Sequence, residues 1–402
     1  MKSWQTPLVV LLSGTLILLI TFGTRNVYGL LMAPVSADLG WGREPFAFAV
    51  AFQSIIWGGA VPIFGALADK YGPARIIVFG GITYAAGLAM MAAAQTPMDA
   101  TISIGVLTGL GLSAAGFPII LAVIGRTVPA EKRSLYLGIA SAGGSSGQLV
   151  LVPAGQYLID GLGWQTSLLI FAALVAAIVP LSAALAGGHR AGAGNIRMNQ
   201  TLGAALREAT THSGFLLLTA GYFVCGFQTM FIGAHLPAML ADHHMANWLA
   251  ALALALIGFF NIIGCFAWGW LGGRYSKKML LSALYFARSV VMLAFILLPV
   301  TQESVVVFAA TMGILWLATV PLTGAIVAQI FGTQYMSTLY GITFLSHQLG
   351  SFLGIWLGGR LYDITGNYDA VWWGGIVLGL VAALIHWPIN ERPLARLAAQ
   401  QP

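Results

Sequence analysis

Two arginines stand where the chain is otherwise apolar: Arg25 in TFGTRNVYGL and Arg288 in YFARSVVML. A guanidinium keeps its charge at any physiological pH and presents N–H donors in a fork that grips a carboxylate through two parallel hydrogen bonds. In an apolar medium that charge is costly until backbone, water, a partner or a ligand answers it. No Asp or Glu lies within the apolar runs. Asn26 and Tyr28 add hydrogen-bonding groups beside Arg25, and Gln148 (in GGSSGQLVLVP) and Gln228 add amides in other runs. His235 and His347, also inside runs, can exchange a proton near neutral pH. This inventory suits recognition of a small organic anion. Arg25, Asn26, Tyr28, Gln148, Gln228 and Arg288 are the candidates for substrate contact, and His235 and His347 are the candidates for proton coupling.

The elements that position these residues live in a bilayer. Apolar residues make up 58% of the 402-residue chain and charged residues 7%, with a mean hydropathy of +0.87, whereas soluble domains carry roughly 25% charged residues. A membrane-crossing helix needs about 20 mostly apolar residues. Twelve such runs begin near Pro7, Pro45, Ala74, Ala100, Ser134, Trp164, Gly214, Asn247, Met279, Val305, Leu339 and Ala370. The first follows Lys2 like a signal peptide, but it continues to Val35 with no cleavage-type site and further spans follow, so it reads as span 1.

The short connections sort by charge. Assigning alternate loops puts 14 of the 18 Lys and Arg on one face and eight of the 12 acids on the other. By the positive-inside rule the basic face is cytoplasmic, with both termini inside and the chain multi-pass in the cell (inner) membrane. The net charge of +6 is thus a topology signal, and no nucleic-acid partner is expected. Cys225 and Cys265 fall inside apolar runs, where a thiol behaves as a small hydrophobe. Trp270, Trp372 and Trp373, near span ends, read as interfacial anchors.

One long polar interruption, residues 187 to 214, begins as a Gly-rich linker and continues as a short amphipathic helix from Met198 to Thr211. It divides the chain into an N-terminal unit 1–187, a linker 188–213 and a C-terminal unit 214–402. Internal repeats agree. GALADKYGPAR (Gly65 to Arg75) recurs as GWLGGRYSKK (Gly269 to Lys278) at an offset of 204, while Pro34 and Pro237, and Asp160 and Asp363, recur at 203. A duplicated six-helix unit with GxLxDxxG-type loops resembles the major facilitator superfamily. The resemblance implies an all-α membrane protein of twelve transmembrane helices in two pseudo-symmetric six-helix bundles. In the first loop Gly65 permits close helix approach, Asp69 can accept backbone N–H groups of a facing helix end, and Lys70 and Arg75 can anchor on an anionic surface. These residues, with Gly269 and Arg274, are the candidate conformational latch. Gly273 replaces the acid in the second copy, which should weaken it there.

EKRSLYLGIASAG (Glu131 to Gly143), GLGWQTS (Gly161 to Ser167) and GGRLYDITGNYDAVWW (Gly358 to Trp373) resemble monocarboxylate transporters and their oxalate:formate antiporter relatives. Where that family carries an arginine and an aspartate on helix 8, this chain has Cys265 and Asn261. Its helix 1 lysine falls near Leu30, and helix 11 has no lysine. The family's carboxylate-binding residues therefore do not carry over.

Arg25 lies about 20 Å from the outer end of a first run on the order of 46 Å long, near mid-membrane. The repeat places Gln228 at its counterpart, and the resemblance puts helices 1 and 7 on the central cavity, so the two should face each other. Helix 9 should lie outside the bundle, leaving Arg288 either on substrate or on carbonyls and hydroxyls of a neighbouring helix. Enzyme readings fail: Gly143 to Gly147 fits G-x-S-x-G but sits in an apolar helix with no preceding strand, and H-E-x-x-H, the P-loop and a cysteine cluster are missing. No cofactor and no metal are expected. The expectation is a monomeric carrier of a small organic anion, a mono- or dicarboxylate, with protons as a second candidate partner. A carrier of neutral solutes or drugs is the alternative. A transport-inactive sensor is disfavoured by short tails that leave no output domain.

Overall fold

The computed structural model describes residues 6–127, 130–186, 201–332 and 335–394. Lys2, Arg190, Arg197, Arg396, the side chain of Asp69 and the Glu131 to Leu135 side chains lie outside the described residues. So do 187–200, which hold most of the expected linker; its helix is seen as Leu202–Thr211.

Spans follow from apolar length and from residues that can end a helix. Thr6 caps α1 (Pro7–Asp38), which is interrupted at Val27. Then come α2 (Arg43–Tyr71), α3 (Pro73–Ala92) and α4 (Pro97–Thr127), the last opened by a Thr96–Asp99 capping box. Residues 130–162 form α5 and 164–185 form α6, divided at Gly163, whose φ of 79° suits a residue without a β-carbon. The second half repeats the plan: α7 (Ser213–Asp242), α8 (Asn247–Gly272), α9 (Lys277–Leu297), α10 (Gln302–Phe331), α11 (Met336–Thr365) and α12 (Asp369–His386). Ten described stretches are long and apolar enough to cross a membrane. One of them, Tyr136–Leu185, holds both α5 and α6, and α11 with its His347, Gln348, Arg360 and Asp363 completes twelve.

In lipid, helices gain little from hiding apolar side chains, so close backbone approach carries the association. Gly23 of α1 meets Gly147 of α5, where a β-carbon on Gly23 would stand 2.7 Å from the Gly147 carbonyl. The same pairing recurs 203 residues later, where β-carbons on Gly226 of α7 and Gly350 of α11 would overlap the His347 and Phe223 carbonyls. Two seams join the halves. In one, Gln348 of α11 donates to the Ser54 carbonyl of α2 (3.3 Å); in the other, Gln148 of α5 donates to the Leu254 carbonyl of α8 (2.8 Å).

The face remote from the termini is closed. Asp363, at the end of α11, accepts the Arg43 and Glu44 backbone N–H groups at 2.8 Å each and so caps α2 across the halves. Its repeat counterpart Asp160, at the end of α5, accepts from Asn247 at the start of α8 (3.0 Å). Arg43 also forks onto Asp242 of α7 (2.5 and 2.8 Å), and Arg360 reaches Glu44 (2.8 Å). At the terminal face the picture reverses: among the described residues no atom of a facing helix comes within 4 Å of where a β-carbon would sit on Gly65, Gly138, Gly269 or Gly341, on the four seam helices. The halves thus part toward the termini. Trp372 departs from the anchor reading, since it is buried among Phe231, Phe295 and Phe308, whereas Trp270 and Trp373 are exposed.

Two expectations follow. Gly350→Leu must displace backbone, at a cost of about 3 kcal/mol or more, so size-exclusion profiles should lose the folded peak, while Gly138→Leu keeps it. Asp242→Asn removes a forked pair worth on the order of 1 kcal/mol, a roughly fivefold shift in population. A Ser54→Cys reporter in a Cys225→Ser, Cys265→Ser background should then react about fivefold faster with a polar maleimide added on the remote face.

Candidate functional site

Arg25 ends the first segment of α1, next to the interruption at Val27, and is 8% exposed. Its two terminal nitrogens each stand 3.3 Å from the Met230 sulfur on α7, and its Cζ lies 5.2 Å from the centre of the Trp57 ring on α2. A thioether is a weak acceptor and a ring face attracts a cation without neutralising it. Among the described residues no carboxylate meets this guanidinium, and its Nε has no hydrogen-bond partner. The Trp57 indole N–H is likewise buried without a partner. Asn26, half-buried beside them, gives its N–H to the Phe22 carbonyl (2.8 Å).

The other candidates are placed apart from this group. Gln228 does not face Arg25: it donates to the Gly375 carbonyl of α12 (2.9 Å) and is fully buried. The repeat matched its depth, but a helix residue's azimuth is set by which neighbour its side chain can reach, and here that is α12. Tyr28 turns into the first half, where its hydroxyl meets that of Tyr84 (3.5 Å), itself bonded to the Thr21 carbonyl (3.1 Å). Gln148 is occupied as the α5–α8 clasp. Arg288 is fully buried on α9 and donates to the Leu315 carbonyl (2.9 and 2.6 Å) and to that of Trp316. Those carbonyls are freed where α10 breaks between Leu315 and Thr319, so Arg288 serves a neighbouring helix. At the terminal face Lys70, Arg75 and Arg274 are exposed, with Arg274 stacked on Trp270 of its own half.

The two histidines differ in what their rings have left to offer. Arg43 donates to the Tyr368 hydroxyl (2.6 Å), which spends its own hydrogen on His235 Nδ1 (3.2 Å), and His235 Nε2 donates to the Ile355 carbonyl (2.7 Å). Burial raises the Tyr368 pKa, so that hydrogen is retained. Both His235 nitrogens are therefore committed to partners within the second half, one of which, Tyr368, receives Arg43 at the remote-face closure. His347 Nδ1 faces the Gln348 amide oxygen (3.0 Å), whose orientation is set by the bond to Ser54, so Nδ1 carries the hydrogen. Its Nε2 lone pair is buried and has no hydrogen-bond partner among the described residues, with the Cys225 thiol as its neighbour.

Sequence reasoning missed the aromatic residues around Arg25. Phe22 packs on Trp57 (5.6 Å between centres) and on Phe117 of α4 (4.4 Å), while Trp57 reaches Phe344 of α11 (5.4 Å), which stacks parallel to His347 (5.9 Å). In a chain this rich in aromatic residues nothing local marks these four, which converge from four helices.

Comparison with known proteins accords with this geometry. The profile of the Major Facilitator Superfamily matches residues 14–355. Monocarboxylate transporter 13 of Rattus norvegicus is 29% identical over 315 residues, covering 77% of this chain and 71% of that protein. An uncharacterized MFS-type transporter of Bacillus subtilis (strain 168), YcxA, is 25% identical over 351 residues, covering 86% of this chain and 85% of its own. In three dimensions the chain superposes on a D-xylose-proton symporter with a TM-score of 0.72 at 14% identity, over 96% of this chain and 99% of that one, a likeness of fold. With its helical two-bundle plan and a profile match over most of its length, the chain belongs to the Major Facilitator Superfamily.

Proposed function

We propose that this transporter is a secondary carrier of a small organic anion, a carboxylate, working by alternating access between the units 1–187 and 214–402. The carrying observation is Arg25: a buried cation at the meeting of the halves whose terminal nitrogens rest on a thioether. A substrate carboxylate is a far better acceptor, and binding it would exchange two weak contacts for a charge-assisted pair. The names of the monocarboxylate transporters it resembles support the same class. The terminal face is read as cytoplasmic in the cell membrane, so the conformation described is inward-open, with the remote-face pairs as the closed outer gate. His347, whose Nε2 faces the Cys225 thiol beside the seam, is the site of proton coupling, and His235 belongs to the gate.

Titration of purified protein with carboxylates tests this reading. Arg25→Gln should weaken binding about thirtyfold, equivalent to roughly 2 kcal/mol, and Arg25→Lys should fall between it and the wild type. Arg288→Gln should lower folded yield and leave the affinity of the surviving protein within about threefold. Unchanged affinity in Arg25→Gln rejects the site. In proteoliposomes, His347→Gln should abolish accumulation driven by a pH gradient and spare counterflow; retained accumulation removes the proton from His347.

A further inference from the structure

We infer that the carboxylate carried is a monoanion with an aromatic body, an aryl or arylalkyl carboxylate, and that Phe22, Trp57, Phe117 and Phe344 set this preference. The inference rests on the proposed role of Arg25 and narrows its substrate. Its first support is a count of charge. The spans hold two deep cations; the hydrogen bonds of Arg288 all go to α10 carbonyls within the second half, whereas Arg25 touches Met230 of one half and Trp57 of the other, so one guanidinium faces the meeting of the halves. One cation with a neutral indole donor beside it suits one carboxylate; a dicarboxylate would leave a second charge unanswered in a low dielectric.

The second support is where the rings stand. Along the α2–α11 seam, Gly58 is packed against Gln348, whereas Gly65, two turns on, faces open space, and so does Gly341, three residues before Phe344. The Trp57–Phe344 pair therefore sits where the seam ends and the opening begins, with Arg25 5.2 Å from the same indole. Phe22, Phe117 and Phe344 are each half-buried, unlike the fully covered rings of the bundle cores. The third support is orientation. Phe22 and Phe344 both meet Trp57 edge-on, at interplanar angles of 64° and 79°. Mutually tilted rings accept a further ring edge to face, a geometry that favours an arene over an aliphatic body of equal size.

The test uses the purified full-length chain and five probes: acetate, phenylacetate, cyclohexylacetate, benzyl alcohol and, as the dianion, succinate. Phenylacetate should bind at least tenfold tighter than acetate or succinate and about threefold or more tighter than cyclohexylacetate, and benzyl alcohol should bind weakest. Phe22→Leu and Phe344→Leu, each checked for a folded size-exclusion peak, should erase most of the aromatic preference while leaving acetate within about twofold. If either variant misfolds, the wild-type ranking still decides. Equal binding of all carboxylates, or of phenylacetate and cyclohexylacetate, overturns the inference while Arg25-dependent binding keeps the carrier reading. Carboxylate binding that persists in Arg25→Gln overturns both.

Discussion

A guanidinium inside hydrocarbon must be answered by acceptors, and this chain answers its two in opposite ways. Arg288 is answered largely from within, by carbonyls that a broken helix leaves over, with its Nη1 unpartnered among the described residues. The break and the cation are each costly alone and mutually stabilising together, which ties α9 to the middle of α10. Arg25 is left with a thioether and a ring face. One arginine is a structural brace; the other lies between the halves on weak acceptors. The second half is braced further by Asn261, which accepts the Leu317 N–H at the same break (3.0 Å) while reaching Ser145 across the other seam (3.1 Å).

The seams repeat one solution. A glutamine amide from α5 or α11 clasps a backbone carbonyl on the facing helix, and an acid at the end of the same helix holds the start of that facing helix. Such contacts are directional yet individually modest. A joint built of these is easier to part than a large apolar interface. The paired glycines within each half serve the opposite need, because backbone set against backbone leaves no slack for sliding.

Much of this was legible in the sequence because it is periodic. Span starts and the repeat offsets of 203 and 204 follow from apolar length and self-similarity. Asp160 and Asp363 were visible as a repeat, though not as acids that reach across to the starts of α8 and α2. Azimuth was not legible: Gln228 and Tyr28 had the right depth and point elsewhere, since a few tens of degrees of helix rotation leave no trace in spacing. Nor was the Arg25 surround, because Met230, Trp57 and Phe344 come from helices far apart in sequence and are ordinary membrane residues wherever they occur.

The ring of His235 shows what the remote-face closure rests on. Its Nε2 hydrogen is held by the Ile355 carbonyl, which leaves Nδ1 to accept from the Tyr368 hydroxyl, and both partners belong to the second half. Arg43 is the member of this run of bonds that comes from the first half. If α2 withdraws, Tyr368 loses a charged donor while the imidazole keeps both of its bonds, so the socket for Arg43 stays assembled, as a keyhole keeps its shape when the key is drawn.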